Sequence, residues 1–320
     1  MTPKEKYRQI CETEGSKIPL FQQYWWMETV CIGKKWDVAL AIDDKGSTLA
    51  ALPYLLRKHL GMKFILQPQL TQFNGPVYFY PKEMSERRRP DFEKRAAGLL
   101  IDQLDHLHID YFHQHFSPEV TNWLPYYWHG FKQTTRYTYR IADITDPDRV
   151  FDNFDRSKER QRRIRQIINQ YTLDREISPE VFAEFHEQYW KSRGKNDLLT
   201  KDFMVHVMKR AIERQQGLVL GLRDGNGALQ TAWFAVYDER CSHALLSAMS
   251  PASRDNGATA LLIWHMIQAL SPLTKAFDFE GSMDETTEYF YRSFGAGQVP
   301  YMRITRCTNP VAALLIRAKH

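Results

Sequence analysis

The feature that most constrains this chain is an internal repeat. Trp36–Ile42 reads as a strand, Asp43-Asp44-Lys45-Gly46 as a turn and Thr48–Leu56 as the returning strand. The same pattern recurs in Leu218–Arg223, Asp224-Gly225-Asn226-Gly227 and Leu229–Tyr237. A turn rich in Asp and Gly between two apolar runs predicts a β-hairpin in each half. More strand follows each hairpin, at Phe64–Leu66 and Val77–Tyr80, and at His243–Met249. Next comes an amphipathic helix (Phe92–Leu107; Ala258–Leu270) and a short strand (Ile109–Phe112; Ala276–Phe279). A second helix and strand close each half, Pro118–Trp128 with Arg136–Ile141, and Glu285–Phe294 with Pro300–Arg306. This order predicts a mixed-sheet α/β domain used twice, with one large irregular α/β domain as the alternative.

The length of 320 residues suits two domains, at roughly 100–200 residues each. Between the halves lies the charge-rich stretch Pro147–Leu173, which ends in a helix. That helix carries Ile164, Ile167, Ile168 and Tyr171 at i, i+3, i+4 and i+7, so one face packs down. The boundary is expected near residue 145, giving domains 1–145 and 146–320.

Cys11, Cys31, Cys241 and Cys307 are far apart and form no C-x-x-C pair. Neither a zinc site nor a secreted disulfide framework is expected, and a reducing cytoplasm fits. The N-terminus lacks the apolar core of a signal peptide, and no apolar run approaches the roughly 20 residues that span a bilayer. The expected location is cytoplasmic. The net charge of +5 is not gathered into a basic domain or tail, so it demands no nucleic-acid partner.

Leu245–Leu262 reads as a strand, a polar loop with one glycine, and a helix. A helix N-terminus exposes free N–H groups at the positive end of its dipole. With small residues at 257, 258 and 260 letting a ligand approach, this segment is a candidate pyrophosphate cradle. The competing reading is an ordinary strand-to-helix turn with Asp255 or Asn256 as N-cap.

These residues carry a resemblance. Arg254-x-x-Gly257-x-Thr259 with Ala260 resembles the pyrophosphate loop of GNAT-fold acyltransferases, with Thr259 where that loop has Gly or Ala. Phe290-Tyr291-Arg292-Ser293-Phe294-Gly295 resembles the segment that holds the tyrosine acid of that superfamily. The chain resembles most the Fem-type branch, the tandem-GNAT aminoacyltransferases of peptidoglycan bridge synthesis and their acetyltransferase-like relatives. Phe21-Gln22-Gln23-Tyr24-Trp25-Trp26, Tyr137-Thr138-Tyr139, Arg163-Ile164-Arg165 and Phe277-Asp278-Phe279-Glu280-Gly281-Ser282 carry this. The resemblance implies two tandem GNAT-like α/β domains with mixed sheets. It also implies acyl transfer from coenzyme A thioesters or aminoacyl-tRNA to an amine of a cell-envelope precursor or small metabolite, a small-molecule or nucleotide-linked acceptor. Met249, Ser250, Arg254, Asn256, Gly257, Ala258, Thr259 and Ala260 would then hold the donor, which is coenzyme A or acyl-CoA, with tRNA as the further partner. No uninterrupted heptad run offers the coiled-coil arm that many tRNA-using relatives carry.

Acyl transfer to an amine needs a neutral nucleophile, stabilisation of the oxyanion and a proton for the leaving group. Glu280, just past the strand Ala276–Phe279, is the candidate base; the plain alternative is a solvated carboxylate or a helix-cap partner. Tyr291 is the candidate acid, with core packing against Tyr289, Phe290 and Phe294 as its alternative. Backbone N–H groups near Ala248–Ser250 would meet the oxyanion.

Arg156, Lys158, Arg160, Arg162, Arg163 and Arg165 crowd positive charge into one run opposed only by Glu159. At about 100° per residue, Arg160 falls on the apolar face with Ile164 and Ile167. Arg160, Arg162 and Arg163 are therefore candidates for an anionic substrate, against a solvated basic helix with Arg160 snorkelling. His113 and His115 share one strand face but lack the ligand spacing of a metal site, and no metal is expected. A non-catalytic binding protein with a degenerate fold, or a nucleic-acid-binding module built on the basic helix, are the rival functions.

Overall fold

The computed structural model describes residues 1–155, 160–254, 256–281 and 283–317. Arg156, Lys158 and Glu159 of the basic run, Asp255 of the loop and Ser282 lie outside the described residues. The chain divides into two compact units, residues 1–136 with 300–320, and residues 137–299. This differs from the expected division at 145. The change of unit falls inside a strand, and the last segment of the chain returns to the first unit.

The first unit begins with α1 (Pro3–Glu14), capped by a Thr2–Glu5 capping box, and α2 (Tyr24–Val30). Then follow β1 (Lys35–Ile42), β2 (Thr48–His59), β3 (Met62–Leu66), β4 (Val77–Tyr78), α3 (Arg89–His106), β5 (Tyr111–Phe116) and α4 (Leu124–Trp128). β1, β2 and β3 pair antiparallel, β3 and β5 parallel, and β4 adds to β2. On α3, Ala96, Ala97, Leu100, Ile101 and Leu104 are buried, a helical stripe set against Leu52, Ile65, Phe112 and Phe116. β5 alternates strictly, with Phe112, Gln114 and Phe116 inward and Tyr111, His113 and His115 on the opposite face.

β6 (Lys132–Ile141) leads into the second unit, which continues with α5 (Pro147–Asp152), α6 (Arg160–Ile167), β7 (Thr172–Asp174), α7 (Pro179–Ser192) and α8 (Lys201–Glu213). The hairpin and its followers are β8 (Gly217–Arg223), β9 (Leu229–Tyr237), β10 (Cys241–Met249), α9 (Ala258–Leu270), β11 (Ala276–Asp278) and α10 (Glu285–Arg292). The sheet runs β7, β8, β9 and β10 antiparallel, then β11 parallel to β10, then β6 antiparallel to β11. α9 is apolar nearly all round and is buried accordingly, packed on Leu220, Trp233 and Phe277. β12 (Gly297–Cys307) pairs with β5 in the first unit, and α11 (Pro310–Arg317) ends the described chain.

The repeat extends to single hydrogen bonds. Asp43 Oδ1 accepts from the N–H of Lys45 and Ser47, and Asp224 Oδ1 from Asn226 and Ala228. Gly46 (φ +83°) and Gly227 (φ +79°) each occupy the left-handed position that closes the turn.

One part of the basic helix departs from expectation. α6 ends at Ile167, so Ile164 and Ile167 are buried while Ile168 is 39% exposed. The chain passes there into a tight 3₁₀ turn, Ile168–Gln170, which rotates Ile168 off the buried face.

Candidate active site

β10 and β11 run side by side only from Cys241–His243 against Ala276–Asp278. Beyond that point β11 ends while β10 continues against β9 alone, with a bulge between Ala244 and Leu246. Two neighbouring strands thus part, and Glu280 sits where they do. The backbone at Glu280 has φ +66° and at Gly281 φ +62°, consecutive left-handed residues, the first with a side chain that disfavours this conformation. The N–H of Glu280 donates to Asp278 Oδ1 at 2.8 Å, which holds the turn.

The Glu280 side chain is 15% exposed and its Oε1 lies 3.0 Å from Nδ1 of His243, itself 8% exposed. Burial pushes the Glu280 pKa up to about 7, against the opposing pull of His243. Burial works against a charged His243, yet Cys241 and Glu280 outweigh it and hold its pKa well above the ordinary value. Asp278 is wholly buried and is the fixed part of the site, accepting from Thr138 Oγ1, Arg140 Nε and the Glu280 N–H. Tyr291, on α10, stacks on Phe279 with ring centroids 4.7 Å apart. Burial, then the charges of Glu280 and Asp278, push its hydroxyl up to about 12. The arrangement offers a carboxylate that changes protonation near neutrality beside a phenol that keeps its proton, the two roles of acid–base transfer.

The N–H groups near Ala248–Ser250 do not all point the same way. The N–H of Ser250 donates to the Gln230 carbonyl at 2.8 Å, so it faces β9. Strand N–H groups alternate between edges, which puts Ser247 and Met249 toward the side that β11 vacates. The Ser250 hydroxyl is also engaged, with Gln230 and the N–H of Ser253.

The loop before α9 is more closely packed than an open small-residue cradle. Gly257 is the N-cap of α9, with φ +93°. A Cβ there would lie 3.2 Å from both Arg163 Cγ and Ile167 Cδ1, so the space beside Gly257 belongs to the basic helix. Ala258 and Ala260 are buried in the core, where their small side chains pack. Asn256 does not cap as N-cap; its Oδ1 accepts from the Ala258 N–H and its Nδ2 donates to Tyr171 Oη. Thr259 is half-buried and Arg254 exposed. What remains for an anion is the first turn of α9 and the exposed Arg163 laid against it.

Arg160 and its neighbours separate. Arg162 and Arg163 are exposed. Arg160 turns inward, its guanidinium 5.0 Å from the ring centroids of both Phe290 and Phe294, and Nη2 donates to Ser293 Oγ at 2.9 Å. These contacts come from within the protein, while its buried Nε finds no hydrogen-bond partner among the described residues.

Cys241, His243 and Asp278 offer donor atoms within 4.8 Å of one another. Arg140 beside Asp278 opposes a cation there, and His243 Nδ1 faces Glu280. Sequence reasoning missed His243, Asp278 and Arg140. The signal was present only in the alternation of Phe277-Asp278-Phe279, which buries an acid between two aromatics.

The family model described as an acetyltransferase (GNAT) domain matches residues 152–289. The second unit carries a GNAT-type acyltransferase domain. Solved structures extend the likeness over both units. The crystal structure of FemX, 13% identical, has a TM-score of 0.72 and covers 97% of this chain and 98% of that one. L-PGS from Bacillus licheniformis is 14% identical with a TM-score of 0.57, covering 98% and 96%. A tandem GNAT protein from the clavulanic acid biosynthesis pathway is 8% identical at 0.53, covering 95% and 94%. None of the curated proteins matches the sequence significantly. The tandem GNAT fold that the resemblance implies is the fold found.

Proposed function

We propose that this chain transfers an acyl or aminoacyl group from an activated donor to the amine of an acceptor, with the chemistry in the second unit. The observation that carries this is Glu280, a carboxyl raised by burial to a pKa of about 7 and paired at 3.0 Å with His243, set where β10 and β11 part. An amine must lose a proton to attack, and this group accepts one at neutral pH. The N–H groups of Ser247 and Met249 polarise the acyl carbonyl, and Tyr291 returns a proton to the leaving group.

For the donor, the residues fit an anionic phosphate group. The N–H groups of the α9 first turn, with Arg163 and Arg254, would hold the pyrophosphate of coenzyme A or the phosphates of aminoacyl-tRNA. Either donor supplies an activated acyl carbonyl. The likeness to FemX and L-PGS favours an aminoacyl group, and the Fem-type resemblance favours a peptidoglycan precursor as acceptor, with cytoplasmic action. No helix of the described residues is long and apolar enough to cross a membrane.

The deciding experiment mixes the protein with acetyl-CoA or with aminoacyl-tRNA and a panel of amines, and follows loss of the thioester or ester. Amine-dependent turnover with either donor supports the reading and names the donor. Donor binding without turnover for any amine would assign a binding protein instead.

A further inference from the structure

The first unit contains a cavity of about 370 Å³ between α11 and the sheet. Its chemistry is divided. Arg57, Lys58 and His59, from the end of β2, and His113, from β5, bring basic groups to it. Phe64 and Leu66 from β3, with Leu315 and Ile316 from α11, supply apolar walls. No Asp or Glu is among the described residues that line it.

Sheet register explains the gathering. Arg57 pairs with Phe64 and Phe64 with Tyr111, so Arg57, Phe64 and His113 share the face opposite the α3 core. On that face Arg303 stands opposite His115, and Thr305 opposite His113. The Nε of Arg303 is buried and finds no hydrogen-bond partner among the described residues. Burial first, then the charges of His113, Arg136 and Arg303, drive the His115 pKa down to about 3. The wall formed by α11 is anchored. Asn309 Nδ2 donates to Asp110 Oδ1 at 2.9 Å, and the Thr308 N–H to the Asp110 carbonyl at 3.0 Å.

We infer that this cavity is a binding site for an anionic amphiphile, a phosphate group on a short apolar body. A guanidinium matches phosphate in a planar fork, and the apolar walls match hydrocarbon. A neutral ligand would leave the positive face uncompensated, and inorganic phosphate would leave the Phe64 and Leu315 side wet. The volume lies within the range of about 300–1,000 Å³ usual for small-molecule sites. The inference is independent of the acyl-transfer reading, since every residue in it belongs to the first unit.

Calorimetric titration of the full chain with octyl phosphate tests it, with octyl glucoside and inorganic phosphate as comparisons. Octyl phosphate should bind at least about tenfold more tightly than either, a difference of about 1.4 kcal/mol. Arg57→Gln, an exposed change that spares the core, and Leu315→Trp, which fills the cavity, should each weaken it about tenfold. Vesicles of phosphatidylglycerol against phosphatidylcholine distinguish the source. Arg57-dependent sedimentation with the former assigns a lipid headgroup, and octyl phosphate binding without it assigns a soluble phosphorylated compound. Equal affinity for octyl phosphate and octyl glucoside overturns the inference, as does octyl phosphate binding that Arg57→Gln leaves unchanged.

Discussion

Nδ1 of His243 lies 3.0 Å from Oε1 of Glu280, joining a strand that continues to one that has just ended. The imidazole is held on β10, and the carboxylate stands on a left-handed turn that the Glu280 N–H bond to Asp278 Oδ1 helps to hold. A base placed this way is fixed against the free edge of β10, where an acyl carbonyl would lie.

Glu280→Gln should lower kcat by roughly 10²–10⁴-fold with little change in donor affinity. Glu280 must be ionised to accept a proton, so wild-type activity should rise as pH passes upward through about 7. The variant should lose that limb. The same shift governs stability. A folded pKa above the ordinary 4.5 means that the folded protein holds this proton more tightly than the unfolded chain. The resulting stabilisation is complete below about 4.5 and fades as pH rises through about 7. The raised His243 acts in the same direction. Tm measured from pH 5 to 8 should therefore fall more steeply for the wild type than for Glu280→Gln.

Gly257 should be intolerant of side chains for reasons of fold. Gly257→Val places a Cβ against Arg163 and Ile167 at a φ of +93°, costing about 1–3 kcal/mol in urea unfolding. Arg163→Gln keeps most of the stem beside Gly257 and removes the charge, so it should weaken donor binding and reduce its salt dependence by more than it changes unfolding. Equal donor affinity in Arg163→Gln and wild type would detach the basic helix from the donor.

Arg160→Ala should destabilise by about 1–2 kcal/mol, since it removes a guanidinium set over Phe290 and Phe294 and a hydrogen bond to Ser293. Arg160→Lys should recover only part of this, because an ammonium does not stack. Donor affinity should follow stability and not charge in both variants, read by parallel denaturation and binding curves.

The periodic parts of this fold are legible in the sequence. Leu229–Tyr237 and Ala258–Leu270 coincide with β9 and α9, because one is a long apolar strand and the other a helix apolar nearly all round. Pro118–Trp128 reads as one helix, yet only Leu124–Trp128 is helical, with Pro125 in its first turn, where the missing N–H costs no helical bond. The site was legible only in part. Glu280 stood out as an acid at a strand end, but His243 read as one more residue of an apolar strand. Its role depends on the parallel pairing of β10 with β11, a long-range register that no local pattern encodes. Gly257 was legible as a special position, while the occupant of the space it leaves, Arg163, was not, because α6 lies far away in sequence.

Tyr291 carries the last prediction. Its ring stacks on Phe279, and its hydroxyl is held near 12, so it remains protonated throughout the working pH range. It can therefore give a proton to a leaving thiolate or alkoxide, and its own titration cannot produce a falling limb below about pH 10. Tyr291→Phe keeps the stacking surface and removes only the hydroxyl. The variant should hold its Tm within about 1 °C, since the stacking on Phe279 is retained. It should lower kcat by roughly 10–100-fold with KM nearly constant, and the limb near pH 7 should remain, because Glu280 is intact. The loss should also depend on the leaving group. A donor whose leaving group has a low pKa needs little protonation, so an activated aryl thioester should restore most of the rate to Tyr291→Phe while doing little for Glu280→Gln. Equal rescue of both variants would place the two residues in one structural role and remove the acid from the mechanism.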